Sequence, residues 1–275
     1  MFEFWRRFYH AWLDYPLQQG SFIGRGRFKV QSQIGVGSYG ITYRCVDEIT
    51  QQVVAVKQAK PSKKSVGQAM LAWEREVLSK MDHLFIPGVL DYFQENRSWW
   101  LVTDYVEGST VEDLIFRDGY VFSQQEVVEW TLQLLNRVQH VHAKGFVHLD
   151  LRIPNIIIKE GELYLIDFGL AQALNDLPSA NHTSIEKTGP DSSKPLKPAT
   201  IQSDLFDIGH FMLFMLYSQY TPEDDRKEMS WSQELNLSPS LQQVLHRLLE
   251  EQEPYRCSDD LIEDLKDMLA GSELG

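Results

Sequence analysis

Cysteine is nearly absent from this sequence, and so are long apolar runs. Only two cysteines, Cys45 and Cys257, occur among 275 residues, which is too few for a disulfide-stabilised secreted domain. The most apolar stretch, residues 205–218, is too short and too interrupted by polar residues to span a bilayer. The N-terminus has no signal peptide with a clean apolar core. These absences predict a cytoplasmic protein with reduced thiols and no integral membrane span.

Positive charge is also scarce. The 26 lysines and arginines are outnumbered by 39 aspartates and glutamates, so the formal net charge is −13. Nucleic acids and anionic membranes both require local cationic surface, and the composition therefore disfavours them as partners. One modest basic run follows a predicted strand and consists of Lys57, Lys60, Lys63 and Lys64. We expect a solvated loop there, although an acidic substrate could meet it.

Two short motifs carry the clearest chemical signal. HLDLRIPN at 148–155 supplies Asp150 and Asn155, and LIDFG at 165–169 supplies Asp167. The carboxylate of Asp167 and the amide oxygen of Asn155 suit Mg²⁺, which leaves Asp150 to orient a hydroxyl. Phosphoryl transfer needs this equipment because the protein mainly positions the acceptor and neutralises charge. Taken singly, each of these residues has an alternative interpretation as an ordinary turn residue or helix cap.

A glycine-rich segment lies upstream. IGVGSYGIT at 34–42 contains Gly35, Gly37 and Gly40, a G-x-G-x-x-G pattern that dinucleotide-binding folds share. Their glycines open a helix, whereas here β-rich sequence precedes and follows, which predicts a hairpin that folds over phosphates. Backbone amides at glycine can approach phosphates without a Cβ atom in the way. A P-loop is excluded because no Gly-Lys-Ser or Gly-Lys-Thr follows.

A lysine at the end of an apolar strand needs partners. Lys57 ends VAVK at 54–57, where an uncompensated charge would be costly. The next segment, 65–83, has apolar residues near helical spacing and offers Glu74 and Glu76. We expect Glu74 to pair with Lys57, whose other partners would be nucleotide phosphates.

The chain resembles a eukaryotic-type (Hanks-type) protein kinase domain, because five motifs occur in the order typical of that family. They are the glycine turn, VAVK, the helix glutamate, the Asp–Asn loop and DFG. The resemblance covers residues 28 to 270 approximately and is strongest to small bacterial serine/threonine kinases. It implies an α+β, two-lobed protein-kinase-like fold with a small antiparallel β-rich N-lobe, one main helix there, and a larger helical C-lobe. The predicted boundaries are an N-terminal segment at 1–20 and a kinase domain at 21–275, divided into an N-lobe at about 28–102, a hinge at about 103–108 and a C-lobe at about 109–270.

The resemblance also implies site residues. The implied catalytic residues are Asp150, as the base, with Lys57, Glu74 and Arg152. The implied metal ligands, for Mg²⁺ or alternatively Mn²⁺, are Asn155 and Asp167. The implied ATP-binding residues are Ile34, Gly35, Val36, Gly37, Ser38, Tyr39, Gly40, Ile41, Thr42, Ala55, Lys57, Thr103, Asp104, Val106 and Ile157.

Three positions differ from the family pattern without removing a catalytic atom. Leu149 stands where most members have an arginine that receives a phosphate from the activation segment, so activity without phosphorylation of that segment is expected. Arg152 replaces a lysine and keeps the charge but not the compact ammonium. Thr42 replaces a valine and adds a hydroxyl to the adenine roof.

The largest difference lies between DFG and Asp204. Residues 173–204 are polar and contain no Ala-Pro-Glu, which predicts a mobile loop. Arg256 matches the arginine that usually pairs with that glutamate, so its usual partner is expected to be absent or replaced. This segment normally forms the platform for a peptide, which leaves three functions open. The preferred one is a protein kinase with Ser/Thr acceptors, and the others are a small-molecule kinase of the aminoglycoside-phosphotransferase type and a non-catalytic nucleotide-binding scaffold.

The resemblance makes structural predictions too. Asp204 would brace the catalytic loop, and a buried spine would be formed by Leu78, Leu90, His148 and Phe168. The secondary structure predicted consists of strands from about 28 to 58, a helix at 65–83, two further strands to about 105, helices at 121–145 and 205–218, and a short hairpin around 156–166.

The first 20 residues have a pattern of their own. Arg6 and Arg7 lie beside a set of apolar residues at helical spacing, namely Trp5, Phe8, Tyr9, Trp12 and Leu13, which predicts an amphipathic aromatic helix. Docking on the small lobe is the favoured use, because aromatic surface of this size normally finds an intramolecular partner. Contact with a partner protein or with a membrane surface is the alternative.

Overall fold

The structure is a computed structural model that describes residues 14–174, 197–220 and 229–271. The chain divides into two compact units. Among the described residues, unit 1 comprises 14–106 and 168–170, and unit 2 comprises 107–167, 171–174, 197–220 and 229–271. The predicted N-terminal helix and most of the 173–204 segment lie outside the described residues.

Unit 1 is built on a six-stranded antiparallel sheet. Its strands are β1 (Phe22–Ile23), β2 (Phe28–Val36), β3 (Gly40–Asp47), β4 (Val53–Ala59), β5 (Val89–Glu95) and β6 (Ser98–Asp104), in the spatial order β1-β2-β3-β4-β6-β5. Side chains alternate between the two faces along β3 and β4, so that Tyr43, Cys45 and Val56 lie in a fully buried core. The opposite face carries Thr42 and Lys57, which are only partly buried.

One main helix, α1 (Lys64–Leu78), follows β4 after a 3₁₀ turn at Pro61–Lys63. The helix is shorter than the predicted range of 65–83. Its buried side shows which of the two glutamates can pair with Lys57. Glu74 lies on the buried side of α1, whereas Glu76 is exposed and pairs with Lys80 at 3.1 Å.

Unit 2 is mainly helical. Its helices are α2 (Val111–Phe116), α3 (Gln124–Ala143), α4 (Ile201–Leu216), α5 (Trp231–Glu234), α6 (Pro239–Leu248) and α7 (Ser258–Ala270). Helix α3 begins at a capping box, in which the Ser123 hydroxyl accepts from the Glu126 amide and the Glu126 carboxylate accepts from the Ser123 amide. In the part of the chain that the structure describes, no helix combines the length and apolarity needed to cross a membrane.

Short strands in unit 2 hold the loops of the candidate site. These strands are β7 (Ser109–Thr110), β8 (Phe146–Val147), β9 (Ile156–Lys159), β10 (Glu162–Leu165) and β11 (Gln172–Ala173). They form two sheets, β10-β9-β7 and β11-β8. The buried Arg137 of α3 donates to the carbonyl oxygen of Leu163 at 3.1 Å and so ties the β9–β10 hairpin to the helical core.

The prediction for Leu90 is wrong. Leu78, His148 and Phe168 are buried, but 47% of Leu90 is exposed. Val89 pairs with Thr103 and Asp91 pairs with Val102 across β5 and β6, which makes Leu90 the extra residue of a β-bulge. The bulge breaks the period-two alternation, so Leu90 points out of the core.

Arg256 also lies on the surface. Its side chain is 85% exposed and pairs with Glu253 at 3.4 Å. Among the described residues its partner is thus a neighbouring surface carboxylate, and at this exposure the pair adds little to stability.

Candidate active site

In unit 1, β2 and β3 are joined by the glycine-rich turn. The Gly37 amide donates to the Gly40 carbonyl oxygen at 2.9 Å and closes the turn. A Cβ atom at Gly40 would lie 3.1 Å from the Gln58 carbonyl oxygen, so that position needs glycine for packing. At Gly35 and Gly37 the nearest atoms would be 3.8 Å away. The room above these two residues fits a backbone that admits phosphates closely.

Lys57 and Glu74 make the contact that the sequence predicts. The Lys57 ammonium donates to both carboxylate oxygens of Glu74, at 2.9 and 2.8 Å. The Glu74 side chain is 6% exposed and that of Lys57 is 21% exposed. A charge-assisted pair in this partly buried setting fixes the ammonium at the end of β4 while leaving it accessible.

The register of unit 1 places the other ATP-binding candidates. Thr42 is opposite Lys57, and Ala55 is opposite Thr103, so these four side chains share one face of the sheet. Of the two apolar residues beside the glycines, Ile34 is 45% exposed and Val36 is 58% exposed. Exposed apolar surface on a hairpin suits contact with a nucleotide base.

Five further candidates are placed differently. Ile41 is 2% exposed within the core of unit 1, so its backbone is the part that could contact a nucleotide. Ser38 is exposed at the turn. Asp104 receives the Gly88 amide on its carboxylate at 2.8 Å. Tyr39 and Val106 are half-buried in unit 1.

In unit 2, Ile157 lies on β9 and is 9% exposed. A Cβ atom at Gly108 would lie 2.7 Å from Cγ2 of Ile157. The glycine therefore lets the chain that leaves unit 1 pass directly over this strand.

The catalytic loop of unit 2 is braced as predicted. Asp204 is fully buried, and its carboxylate accepts the amides of His148 at 2.9 Å and Leu149 at 2.8 Å. Nε2 of His142, a residue the sequence did not point to, lies 2.8 Å from the same carboxylate. These bonds hold Leu149 at a φ of +61°, a left-handed conformation that a leucine adopts only under constraint from its surroundings.

Asp150 is held by two neighbours. Arg152 Nε donates to its Oδ1 at 2.5 Å, and Asn155 Nδ2 donates to its Oδ2 at 2.7 Å. Asn155 Nδ2 also donates to the Asp150 carbonyl oxygen at 3.0 Å. The hydrogen bond to Asp150 raises the pKa of the Arg152 guanidinium. The carboxylate of Asp150 is thus fixed in orientation, with 14% of its side chain exposed.

The β9–β10 hairpin brings Asp167 to the same place. The Ile166 amide donates to the Asn155 carbonyl oxygen at 3.0 Å, which sets Asp167 next to Asn155. Asp167 itself has a φ of +61°. Complete burial lowers the pKa of His148, although the nearby carboxylates of Asp150 and Asp167 oppose this.

Asn155 and Asp167 fit a divalent cation. Since Nδ2 of Asn155 is used by Asp150, its Oδ1 is the atom left for a metal. An amide oxygen and a carboxylate are hard ligands of the kind that Mg²⁺ prefers. Among the described residues, no three His, Cys, Asp or Glu side chains cluster as metal ligands. The remaining ligands of a cation here would therefore be water and phosphate.

Leu149 does not have the environment of a phosphate receptor. It is 6% exposed and packs with Val147 and Ala199, with Leu174 beside them. Lys197 pairs with the buried Asp207 of α4, and burial raises the pKa of that carboxyl. Apolar packing and the Lys197–Asp207 ion pair thus anchor residues 197–200 on the helical unit, a feature that no sequence pattern indicated.

Comparisons with known proteins agree with this geometry. The protein kinase domain family matches residues 28–272. The chain is 32% identical over 254 residues to the probable serine/threonine-protein kinase YbdM of Bacillus subtilis, covering 92% of this chain and 93% of that protein. It is 23% identical over 250 residues to serine/threonine-protein kinase B of Synechocystis sp., covering 82% of this chain and 43% of that protein.

A solved structure shares the fold. The apo form of PpkA-294 superposes with a TM-score of 0.66 at 20% sequence identity, covering 92% of this chain and 99% of that one. The α+β kinase-like fold predicted from the sequence is thereby confirmed, with its antiparallel β-rich and helical parts. Family membership implies the use of ATP and a divalent metal. The family match and the similarity to YbdM lead to one conclusion: this chain belongs to the protein kinase family.

Proposed function

We propose that this protein kinase transfers the γ-phosphoryl group of ATP to serine or threonine hydroxyls of protein substrates. The observation that carries the proposal is the Asp150 carboxylate, held by Arg152 and Asn155 beside Asp167. The names of two bacterial relatives, the probable serine/threonine-protein kinase YbdM and serine/threonine-protein kinase B, support the class of acceptor.

Asp150 would orient the acceptor hydroxyl and receive its proton. Its Oδ2 accepts hydrogen bonds from Asn155 Nδ2 and Arg152 Nη2, whereas its Oδ1 accepts one from Arg152 Nε. The second acceptor site of Oδ1 would therefore serve the hydroxyl. Arg152 would place positive charge beside the transferred group, where negative charge accumulates. The fixed carboxylate therefore aligns the hydroxyl for attack.

Lys57 would hold the α- and β-phosphates, with Glu74 keeping its ammonium in place. Asn155 Oδ1 and the Asp167 carboxylate would hold Mg²⁺, with Mn²⁺ as the alternative. A bound divalent cation supplies charge neutralisation at the phosphate oxygens. The open space beside Gly35 and Gly37 would also let the phosphates approach the backbone of these residues.

The location and partners belong to the same proposal. A cytoplasmic location is supported by two free cysteines, the buried Cys45 and the partly buried Cys257. The protein substrate is unidentified, and the net charge of −13 disfavours nucleic acid. The N-terminal segment at 1–20 would dock on the chain itself, or meet a partner or membrane surface.

The test is transfer from γ-labelled ATP with Mg²⁺ to generic protein acceptors, followed by acid hydrolysis and separation of the phosphoamino acids. We expect labelled phosphoserine or phosphothreonine. Label in phosphotyrosine only, or in aminoglycosides but not in proteins, would contradict the proposed acceptor. A parallel Mn²⁺ series identifies the preferred metal.

A further inference from the structure

One turn of unit 1, which we call the junction turn (residues 60–67), contacts the glycine-rich turn. The Lys60 amide donates to the Tyr39 carbonyl oxygen at 2.8 Å, and Lys60 Nζ donates to the Gly37 carbonyl oxygen at 2.7 Å. Lys63 Nζ lies 5.2 Å from the centre of the Tyr39 ring. Two of the four lysines in the basic run noted in the sequence therefore contact the glycine-rich turn.

The same turn leads directly into α1, the helix that carries Glu74. A Cβ atom at Gly67, in the first turns of α1, would lie 3.1 Å from Lys63 Cβ and 3.4 Å from the Tyr39 carbonyl oxygen. The helix start and the glycine-rich turn are thus in close contact. Movement of the junction turn would move both the hairpin and the base of α1.

The start of α1 lacks a local cap. The N-cap residue Lys63 makes no side-chain capping bond, and the first turn contains no acidic residue. Asp14, far away in the sequence, instead holds the 3₁₀ turn that leads into this helix start. Its Oδ1 accepts the Ser62 amide at 2.9 Å, and its Oδ2 accepts the Ser62 hydroxyl at 2.5 Å. A carboxylate at this end also favours the helix dipole.

Asp14 is itself held in place. The Leu17 amide donates to the Tyr43 hydroxyl at 3.1 Å, and the Leu17 side chain packs against the core of unit 1. The segment before β1 is thereby fixed to the sheet on one side and to the junction turn on the other.

We infer that Asp14 is a positioning residue for the phosphoryl-transfer reaction. By capping the junction turn through Ser62, it sets α1 so that Glu74 meets Lys57, and it holds the turn that supports Gly37 and Tyr39. The inference rests on the proposed roles of Lys57 and Glu74.

The first test compares full-length Asp14→Ala, Asp14→Asn and Ser62→Ala with the parent protein. Loss of the carboxylate that accepts the Ser62 amide and hydroxyl should lower kcat/KM about five-fold in Asp14→Ala. Asp14→Asn keeps one acceptor oxygen and should lose less. The matched control is Asp82→Ala, an exposed aspartate beyond the other end of α1, which should leave kcat/KM unchanged.

The second test separates positioning from general destabilisation. Because Asp14 acts in part through Glu74, its replacement should cause a smaller fold-loss of kcat/KM in a Glu74→Gln background than in the parent. An equal fold-loss in both backgrounds, or parent-like kcat/KM in Asp14→Ala, would overturn the inference.

Hydrogen exchange distinguishes this inference from the proposed function. An inactive parent protein would refute the proposed function, but amides of the junction turn and of residues 35–40 should still exchange faster in Asp14→Ala than in the parent. Unchanged protection in both segments would overturn the inference whatever the activity.

Discussion

The Lys57–Glu74 pair allows stability and activity to be separated in one set of variants. The Glu74 side chain is 6% exposed, and Lys57 donates to both of its oxygens. Removing one partner of a buried ion pair costs about 3–5 kcal/mol, and the partial exposure of Lys57 favours the lower end. Lys57→Met should therefore lower the unfolding free energy by about 3 kcal/mol, a decrease in Tm of roughly 6–12 °C for a domain of this size.

Adding Glu74→Gln to Lys57→Met removes the buried charge. The double variant should regain about 2 kcal/mol of the loss, since a neutral amide is cheaper to bury than a carboxylate. Activity should not return, because the ammonium that holds the phosphates is still missing, and both variants should lose at least two orders of magnitude in kcat/KM.

The measurements are thermal unfolding followed by circular dichroism and phosphoryl transfer at saturating ATP. Lys80→Met is the matched control, because Lys80, just beyond the end of α1, pairs with Glu76 of that helix and about half of each side chain is exposed. It should change stability by less than ~0.5 kcal/mol. A double variant no more stable than Lys57→Met, or one that regains activity, would refute the reasoning.

Three further predictions concern Asn155, Leu149 and His148. Asn155→Ala should lower kcat at least 100-fold and raise the Mg²⁺ concentration for half-maximal rate, because Asp150 loses its Nδ2 bond and the metal loses a ligand; an unchanged Mg²⁺ titration would contradict this. Replacing every serine and threonine between 179 and 193 by alanine should leave the transfer rate within about two-fold of the parent, because the buried Leu149 offers no cation to a phosphate; inactivity would refute it. Burial depresses the pKa of His148 in the folded state, so the unfolded state binds more protons below about pH 6.5 and stability should rise with pH up to that value. Between pH 5 and 7, Tm should rise less in His148→Gln than in the parent protein. An equal rise of Tm with pH in both proteins would contradict the attribution of this pH dependence to His148.

Several parts of the site were predictable because each is encoded by local pattern or by a compact motif. The apolar run of VAVK predicted β4, and Glu74, expected as the partner of Lys57, lies on the buried face of α1. The contact between Asp204 and the catalytic loop also followed from the resemblance and is present.

Other features depend on tertiary contacts that no short pattern records. Leu90 was misassigned because a single-residue bulge shifts the register of β5. The two-residue strands β1 and β7 are too short to show periodicity. The bond between Asp14 and Ser62 joins residues 48 positions apart, and an aspartate before a proline-containing turn gives no sign of where its carboxylate binds.

The most direct test of the account is the Asp150→Asn variant, compared with Asp260→Asn as an exposed control on α7. Asparagine has nearly the same shape but cannot accept the acceptor's proton as a carboxylate does. With γ-labelled ATP and Mg²⁺, the account predicts that Asp150→Asn loses at least 1,000-fold in kcat, as general-base removal does at its larger effects, while it still binds ATP like the parent. Transfer within a few-fold of the parent would contradict the role of Asp150 and with it the mechanism.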